Sequence, residues 1–259
     1  MTLPAVSPDA PIAILATGAG GTVLRDHLAR RLPHEDFVLL LDTAYAPYAR
    51  RQPRVVVSRA GQMASELAGY APTLVLLASA QAAADALPAV RERAGASVVA
   101  MERMLPVAAA AAGGMPIAVV SGADCTRGLQ QARGLRRQRG GLGAVPVTWP
   151  GLAAAVDRHG PSSAAVREVV AGGMGALGSV RGILLGCSHS AAAAPLVREL
   201  APDGVAVVDG LAVIADRAVR ALRRAGALAR RKRAGRTILI GTDPAGGQRA
   251  LARASVRGG

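Results

Sequence analysis

The chain has 259 residues, 51% hydrophobic but only 2% aromatic, with a formal net charge of +14 and two cysteines. That length supports one large or two modest domains, and two cysteines are too few for a disulfide framework. The start, Met1–Asp9, lacks the basic region and apolar core of a signal peptide, so the expectation is a soluble cytoplasmic protein.

Charge and hydropathy exclude two further classes. Lys232 is the only lysine, and the densest basic cluster, Arg217 to Arg236, lies on a predicted helix and linker without interleaved aromatics. Single-strand binders use such aromatics to stack bases, so the cluster reads as a solvated face and no specific nucleic-acid partner is expected. The uncharged run Met104–Ala123 reaches the length of a membrane span, but Pro106, Gly113, Gly114 and Pro116 break it.

In chain order, Pro11–Leu15 reads as a buried strand, then the glycine-rich turn Ala16–Gly21 and a helix over Val23–Leu32. Strand, glycine turn and helix make an anion-binding corner, because helix N-terminal amides point at the ligand. The spacing fits neither the dinucleotide G-x-G-x-x-G nor a P-loop, and a tight turn that needs glycine explains it equally well. Phe37–Leu41 is a second strand, opening into a loop with Tyr45 and Tyr48, two of three tyrosines, which suggests a pocket wall. A helix over Ser58–Gly69 leads to a strand over Pro72–Ala78, with its exit at Ser79-Ala80-Gln81. Val98–Met101 is a short fourth strand.

The pattern then restarts. A helix over Val107–Ala112 precedes a strand over Pro116–Val120, a helix over Leu129–Arg136 and a strand over Ala144–Thr148. Helices across Val156 and over Ser162–Met174 lead to a strand ending at Cys187. A helix over Ala193–Leu200, a strand over Val205–Asp209 and a long helix over Val213–Leu228 follow. The tail from Thr237 to Pro244 adds a small strand. Alternating strands and helices argue for parallel sheets. The repeat predicts two similar flavodoxin-like α/β domains: residues 11–105 with 212–259 returning, and residues 106–211.

Gly186-Cys187-Ser188-His189-Ser190 follows an apolar run, and loops at the carboxyl ends of strands are where α/β proteins bind ligands. A cysteine there beside a histidine can be held partly as thiolate and move a proton. The plain alternative is a small buried hydrophobe, the commoner fate of free cysteine.

Taken together, these loops resemble the glutamate racemase family of cofactor-independent amino-acid racemases, from about Ile12 to Pro244. The family's D-S-G-x-G-G is Ala16-Thr17-Gly18-Ala19-Gly20-Gly21 here. Its D-[TS]-x-x-x-P-Y-G is Asp42-Thr43-Ala44-Tyr45-Ala46-Pro47-Tyr48-Ala49. Its A-C-N-T followed by A-L-P becomes Ala78-Ser79-Ala80-Gln81 and then Ala86-Leu87-Pro88. Its L-G-C-T-H-Y-P is Leu185-Gly186-Cys187-Ser188-His189-Ser190-Ala191, and Asp157 falls where the family carries a catalytic glutamate.

The resemblance implies an L-/D-glutamate interconversion that feeds peptidoglycan synthesis, with no metal, pyridoxal phosphate or nucleotide. It implies a substrate between two domains, with a cysteine on each face of Cα. Thr17, Gly20, Gly21, Pro47, Tyr48, Ala49, Ala80, Gln81 and Ser188 would bind an amino acid or dicarboxylate, and a homodimer is left open. Cys187, Asp157 and His189 would be the catalytic set of the second face. On the first face the family cysteine is Ser79 and the family aspartate is Ala16. A thiol titrates near pH ~8.5, within reach of neutrality, whereas a serine hydroxyl has no accessible anion without an adjacent base. Asp85 lies about a turn and a half along a helix and is not taken as that base. Three readings stay open: a two-base racemase, a one-base decarboxylase or isomerase using Cys187, and a non-catalytic amino-acid-binding or regulatory paralogue.

Overall fold

The computed structural model describes residues 9–101, 104–114, 116–122 and 143–242. Cys125 and the helix expected over 129–136 lie outside the described residues, as do Asp243 and Pro244. Nine strands run through the described residues: β1 (Ile12–Ala16), β2 (Phe37–Leu41), β3 (Leu74–Leu77), β4 (Val98–Ala100), β5 (Ile117–Gly122), β6 (Ala144–Trp149), β7 (Gly182–Leu185), β8 (Ala206–Asp209) and β9 (Thr237–Gly241). They form two sheets, ordered β4-β3-β1-β2-β9 and β6-β5-β7-β8, with every pairing parallel. The chain divides into two compact units, residues 1–100 with 214–259 and residues 101–213.

Counted from its own first strand, each unit's sheet has the order 2-1-3-4, the flavodoxin-like arrangement. β9 extends the first sheet beyond β2, in register from Phe37 against Thr237 to Leu41 against Gly241. The strands β1 and β3 are buried along their whole length, so they read as unbroken apolar runs rather than alternations. Helices cover both sheets. In unit 1, α1 (Gly20–Arg31), α2 (Pro53–Ala68), α3 (Ala80–Asp85) and α4 (Leu87–Arg93) occur between strands. In unit 2, α5 (Met104–Ala111), α6 (Leu152–His159), α7 (Ala164–Met174), α8 (Ser188–Ala192) and α9 (Ala194–Leu200) do so. Helix α10 (Gly210–Arg224) follows β8. The core of unit 1 joins Leu15, Val38 and Val75 of the sheet to Met63 and Leu67 of α2.

Several boundaries differ from the sequence expectation, each for a local reason. Helix α1 begins at Gly20 rather than Val23, so Gly20 and Gly21 form its first turn instead of an open loop. Helix α2 begins at Pro53, because proline is preorganised for a first helical position. The helix expected over 193–200 is α9, with Pro195 in its first turn, and a further short helix, α8, precedes it in the segment after Cys187. Helix α10 starts early because the Asp209 carboxylate accepts from the Leu211 and Ala212 amides at 2.8 and 3.2 Å. It stops early because Gly226 turns left-handed at φ 61°, closed by the Ala227 amide on the Leu222 carbonyl. The apolar run from Met104 divides into α5 and β5, and no helix of the described residues is long and apolar enough to cross a membrane.

Gly21 shows what its corner requires. A Cβ there would lie 2.7 Å from Ala16 Cβ and 2.9 Å from Leu41 Cδ2. The glycine lets the first turn of α1 lie directly on β1 and β2. Gly21→Ala is expected to cost about 1–3 kcal/mol through overpacking, read as a lower urea midpoint at unchanged slope.

Candidate functional site

In a 2-1-3-4 sheet the strand order reverses between strands 1 and 3, and the carboxyl ends flanking that point are the favoured ligand position. In unit 2 those ends belong to β5 and β7, and the residues there are Ser121 and the segment from Cys187 to Ser190. In unit 1 they belong to β1 and β3, and the residues are Ala16-Thr17 and Ser79-Ala80-Gln81. Both Ser79 and Cys187 are thus delivered by the third strand of a unit, and both cap the short helix that follows.

Cys187 is 1% exposed. Its sulfur accepts from the Ser190 amide at 3.4 Å, and Ser190 Oγ lies 3.4 Å away on the other side of a reciprocal cap, receiving the Cys187 amide at 3.2 Å. Ser190 is itself fully buried, with the Val120 and Cys187 carbonyls 3.1 and 3.0 Å from its hydroxyl. That hydroxyl ties the end of β7 to the end of β5. In the sequence, Ser190 is marked only by the Cys-x-x-Ser spacing of a reciprocal helix cap.

His189 hydrogen-bonds both Cys187 and Asp157, with Nε2 3.1 Å from Asp157 Oδ2 on α6. Burial opposes charge on the ring, but the bonds to Asp157 and Cys187 outweigh it and push the imidazole up to about 10. Asp157, His189 and Cys187 therefore form one connected chain of acid, imidazole and sulfur. Such a chain supports negative charge on sulfur. Ser188, at 9% exposed, has no hydrogen-bond partner for its hydroxyl among the described residues.

The sign of the His189 shift fixes a pH window. Its folded value lies above the unfolded 6.5, so its contribution to stability is complete below pH 6.5 and is lost as pH rises through about 10. Asp157 is 52% exposed, which screens the pair. Asp157→Asn is expected to lose about 1 kcal/mol at pH 6, with the gap to wild type closing toward pH ~10. Urea melts across that range measure it; a gap that widens with pH would contradict the assignment.

Unit 1 is arranged differently. Ser79 is 5% exposed, and its hydroxyl oxygen accepts the Ala82 amide at 3.3 Å. No carboxylate or imidazole bonds it among the described residues, and Ala16 at the end of β1 offers only a buried methyl. Gln81 gives its amide N–H to Asp85 at 2.8 Å, and the buried Gln81 Oε1 has no partner among the described residues. Thr17 and Ala80 are half-buried.

The loop after β2 contains a buried network. Asp42, fully buried, accepts from Tyr48 Oη at 2.7 Å, Thr242 Oγ1 at 2.7 Å, and both Nε and Nη2 of Arg59 at 2.9 Å. Tyr48 is 2% exposed, and burial together with Asp42 holds its phenol well above its ordinary range. Its single proton is given to Asp42, so the residue expected to bind a carboxylate serves here to fix the loop. Pro47, in a cis peptide bond, is exposed, and Ala49 is half-buried. Tyr45 is also exposed and lies under the Arg59 guanidinium at 4.4 Å. Arg59 and Thr242 carried no local sequence signal. Among the described residues no three His, Cys, Asp or Glu side chains come together as metal ligands.

No family model matches the chain. It is 27% identical to a glutamate racemase of Pseudomonas syringae pv. tomato over 204 residues, 78% of this chain and 74% of that protein. Among solved structures, the glutamate racemase of Thermus thermophilus in complex with β-chloro-D-alanine superposes with a TM-score of 0.76 at 26% identity, covering 92% of this chain and 90% of the other. The glutamate racemase of Francisella tularensis in complex with D-glutamate gives a TM-score of 0.76 at 17% identity, covering 91% and 89%, a likeness of fold. Arylmalonate decarboxylase shares the fold at a TM-score of 0.52 and 21% identity, over 81% and 91%.

Proposed function

We propose that the chain, similar to glutamate racemases in sequence and fold, carries out one-sided proton transfer at the α-carbon of an amino acid or dicarboxylate, with Cys187 as the acid/base. The carrying observation is the asymmetry between two equivalent positions. Cys187 has amide, hydroxyl and imidazole partners, and the imidazole is held by Asp157. Ser79 has one backbone amide.

The step balances without a further reactant. The Cys187 thiolate takes the Cα proton, forming S–H and breaking C–H, and the electron pair passes into the adjacent carboxylate as an enediolate. Return of a proton from the same S–H restores the original configuration. With a malonate-type substrate, carbon dioxide would leave with its bond electrons remaining on carbon, and the Cys187 S–H would protonate that carbanion. Imidazolium at His189 stabilises sulfur in its anionic form. Ser79 cannot supply the opposite proton at a useful rate, because an unassisted hydroxyl is far from its anion at neutral pH.

The test is incubation with D- and L-glutamate, aspartate and a phenylmalonate in deuterated water. Optical rotation, deuterium at Cα and carbon dioxide release are followed together. The expected result is exchange or decarboxylation confined to one face. Racemisation at the rate of exchange would restore the two-base reading. Absence of all three signals would favour a non-catalytic binding protein.

A further inference from the structure

The carboxyl ends of the unit 1 strands carry the loops described above. At their amino ends, where β1, β2 and β9 begin, lies a pocket of about 440 Å³, within the size range of small-molecule sites. Pro11, Phe37, Val38, Tyr70 and Ile238 line it, together with Arg236. It is separated from the Ser79 end of the sheet by the length of a five-residue strand, about 16 Å. The chain has one Phe, three Tyr and one Trp. Two of those five aromatics wall this one pocket, and Tyr70 stands exposed there.

Its polar groups are unbalanced in charge. Asp36 also lines the pocket, but it already accepts from both Arg231 and Arg233 and from the backbone amide of Arg236. Its negative charge is therefore committed to two guanidinium groups. The Arg236 guanidinium is exposed and has no acidic partner among the described residues. An apolar floor of Phe37 and Ile238 below one uncommitted guanidinium selects a particular ligand chemistry. A guanidinium pairs with a carboxylate through two parallel hydrogen bonds, while an aromatic wall favours a flat apolar body.

We propose that this pocket binds a small monocarboxylate carried on an aromatic or branched apolar body, with Arg236 holding the carboxylate and Phe37, Tyr70 and Ile238 covering the body. The site is independent of the proton-transfer reading. A purely polar anion would leave the apolar floor uncovered, and a neutral hydrocarbon would leave the guanidinium unused.

Phenylacetate, phenylacetamide and acetate titrated into the full-length protein, with saturation-transfer NMR and calorimetry as readouts, test this. Phenylacetate is expected to bind at least about tenfold more tightly than either of the others. Arg236→Gln removes the acid-over-amide preference, since only its backbone amide bonds Asp36 and that bond survives the change. Tyr70→Ala weakens phenylacetate while leaving Arg236 in place. Cys187→Ala leaves the titration unchanged. The proposal is overturned by equal affinity for acid and amide, by no binding at the solubility limit, by titrations indifferent to both pocket variants, or by loss of binding in Cys187→Ala.

Discussion

Cys187→Ala is expected to reduce α-carbon exchange by about 100- to 10,000-fold, the range a positioned acid/base group contributes. The same change removes the sulfur that accepts the Ser190 amide and should cost only about 1 kcal/mol of stability, because the Ser190 arm of the cap remains and the protein stays folded. Ser79→Ala removes only the acceptor for the Ala82 amide and should leave exchange within about twofold of wild type. The contrast between the two substitutions is the decisive measurement. Equal losses from both would mean that Ser79 takes part in the chemistry and that the one-sided reading is wrong. Asp157→Asn should fall between them: it weakens the hold on His189 and so moves the pH at which exchange declines, which a structural role alone would not do.

How much of this was readable from the residues depended on distance along the chain. Strands such as Phe37–Leu41 stood out because burial on both faces of a parallel sheet leaves an uninterrupted apolar run. The Cys187 loop stood out because thiol, hydroxyl and imidazole are consecutive. Its internal partner Ser190 was visible only as a capping pattern, and the sulfur-to-hydroxyl geometry needed the turn of α8. The starts of α1 and α10 were misplaced because glycine reads as loop, whereas Gly20 and Gly21 are helical for close packing and Gly210 follows a capping aspartate. Least legible was the Asp42 network. Its partners Arg59 and Thr242 lie 17 and 200 residues away, so no local period connects them. The concentration of two of three tyrosines in one loop suggests a pocket wall for Tyr48, whereas the fold turns its hydroxyl onto Asp42.

That network carries the largest expected stability effect. Arg59→Ala is expected to cost about 3–5 kcal/mol, because Asp42 would keep its charge in a fully buried position with only hydroxyls to compensate it. The Asp42 side chain is 0% exposed and that of Arg59 12%, so little water reaches the pair. Both carboxylate oxygens are engaged by the guanidinium fork, which is also what holds Arg59 over the Tyr45 ring. Arg59→Lys restores charge but not the fork, and should recover only part of the loss. Tyr48→Phe removes one of four hydrogen bonds to Asp42 and is expected to cost about 1–3 kcal/mol. Urea denaturation at neutral pH ranks the three as Arg59→Ala above Arg59→Lys and Tyr48→Phe. If Arg59→Ala lost under about 1 kcal/mol, Asp42 would have to be reached by water or protonated, and the loop after β2 would not depend on its ion pair. The exposed Cys187-side pair offers the internal comparison: Asp157→Asn, made at a half-exposed carboxylate, should lose far less than Arg59→Ala under the same conditions.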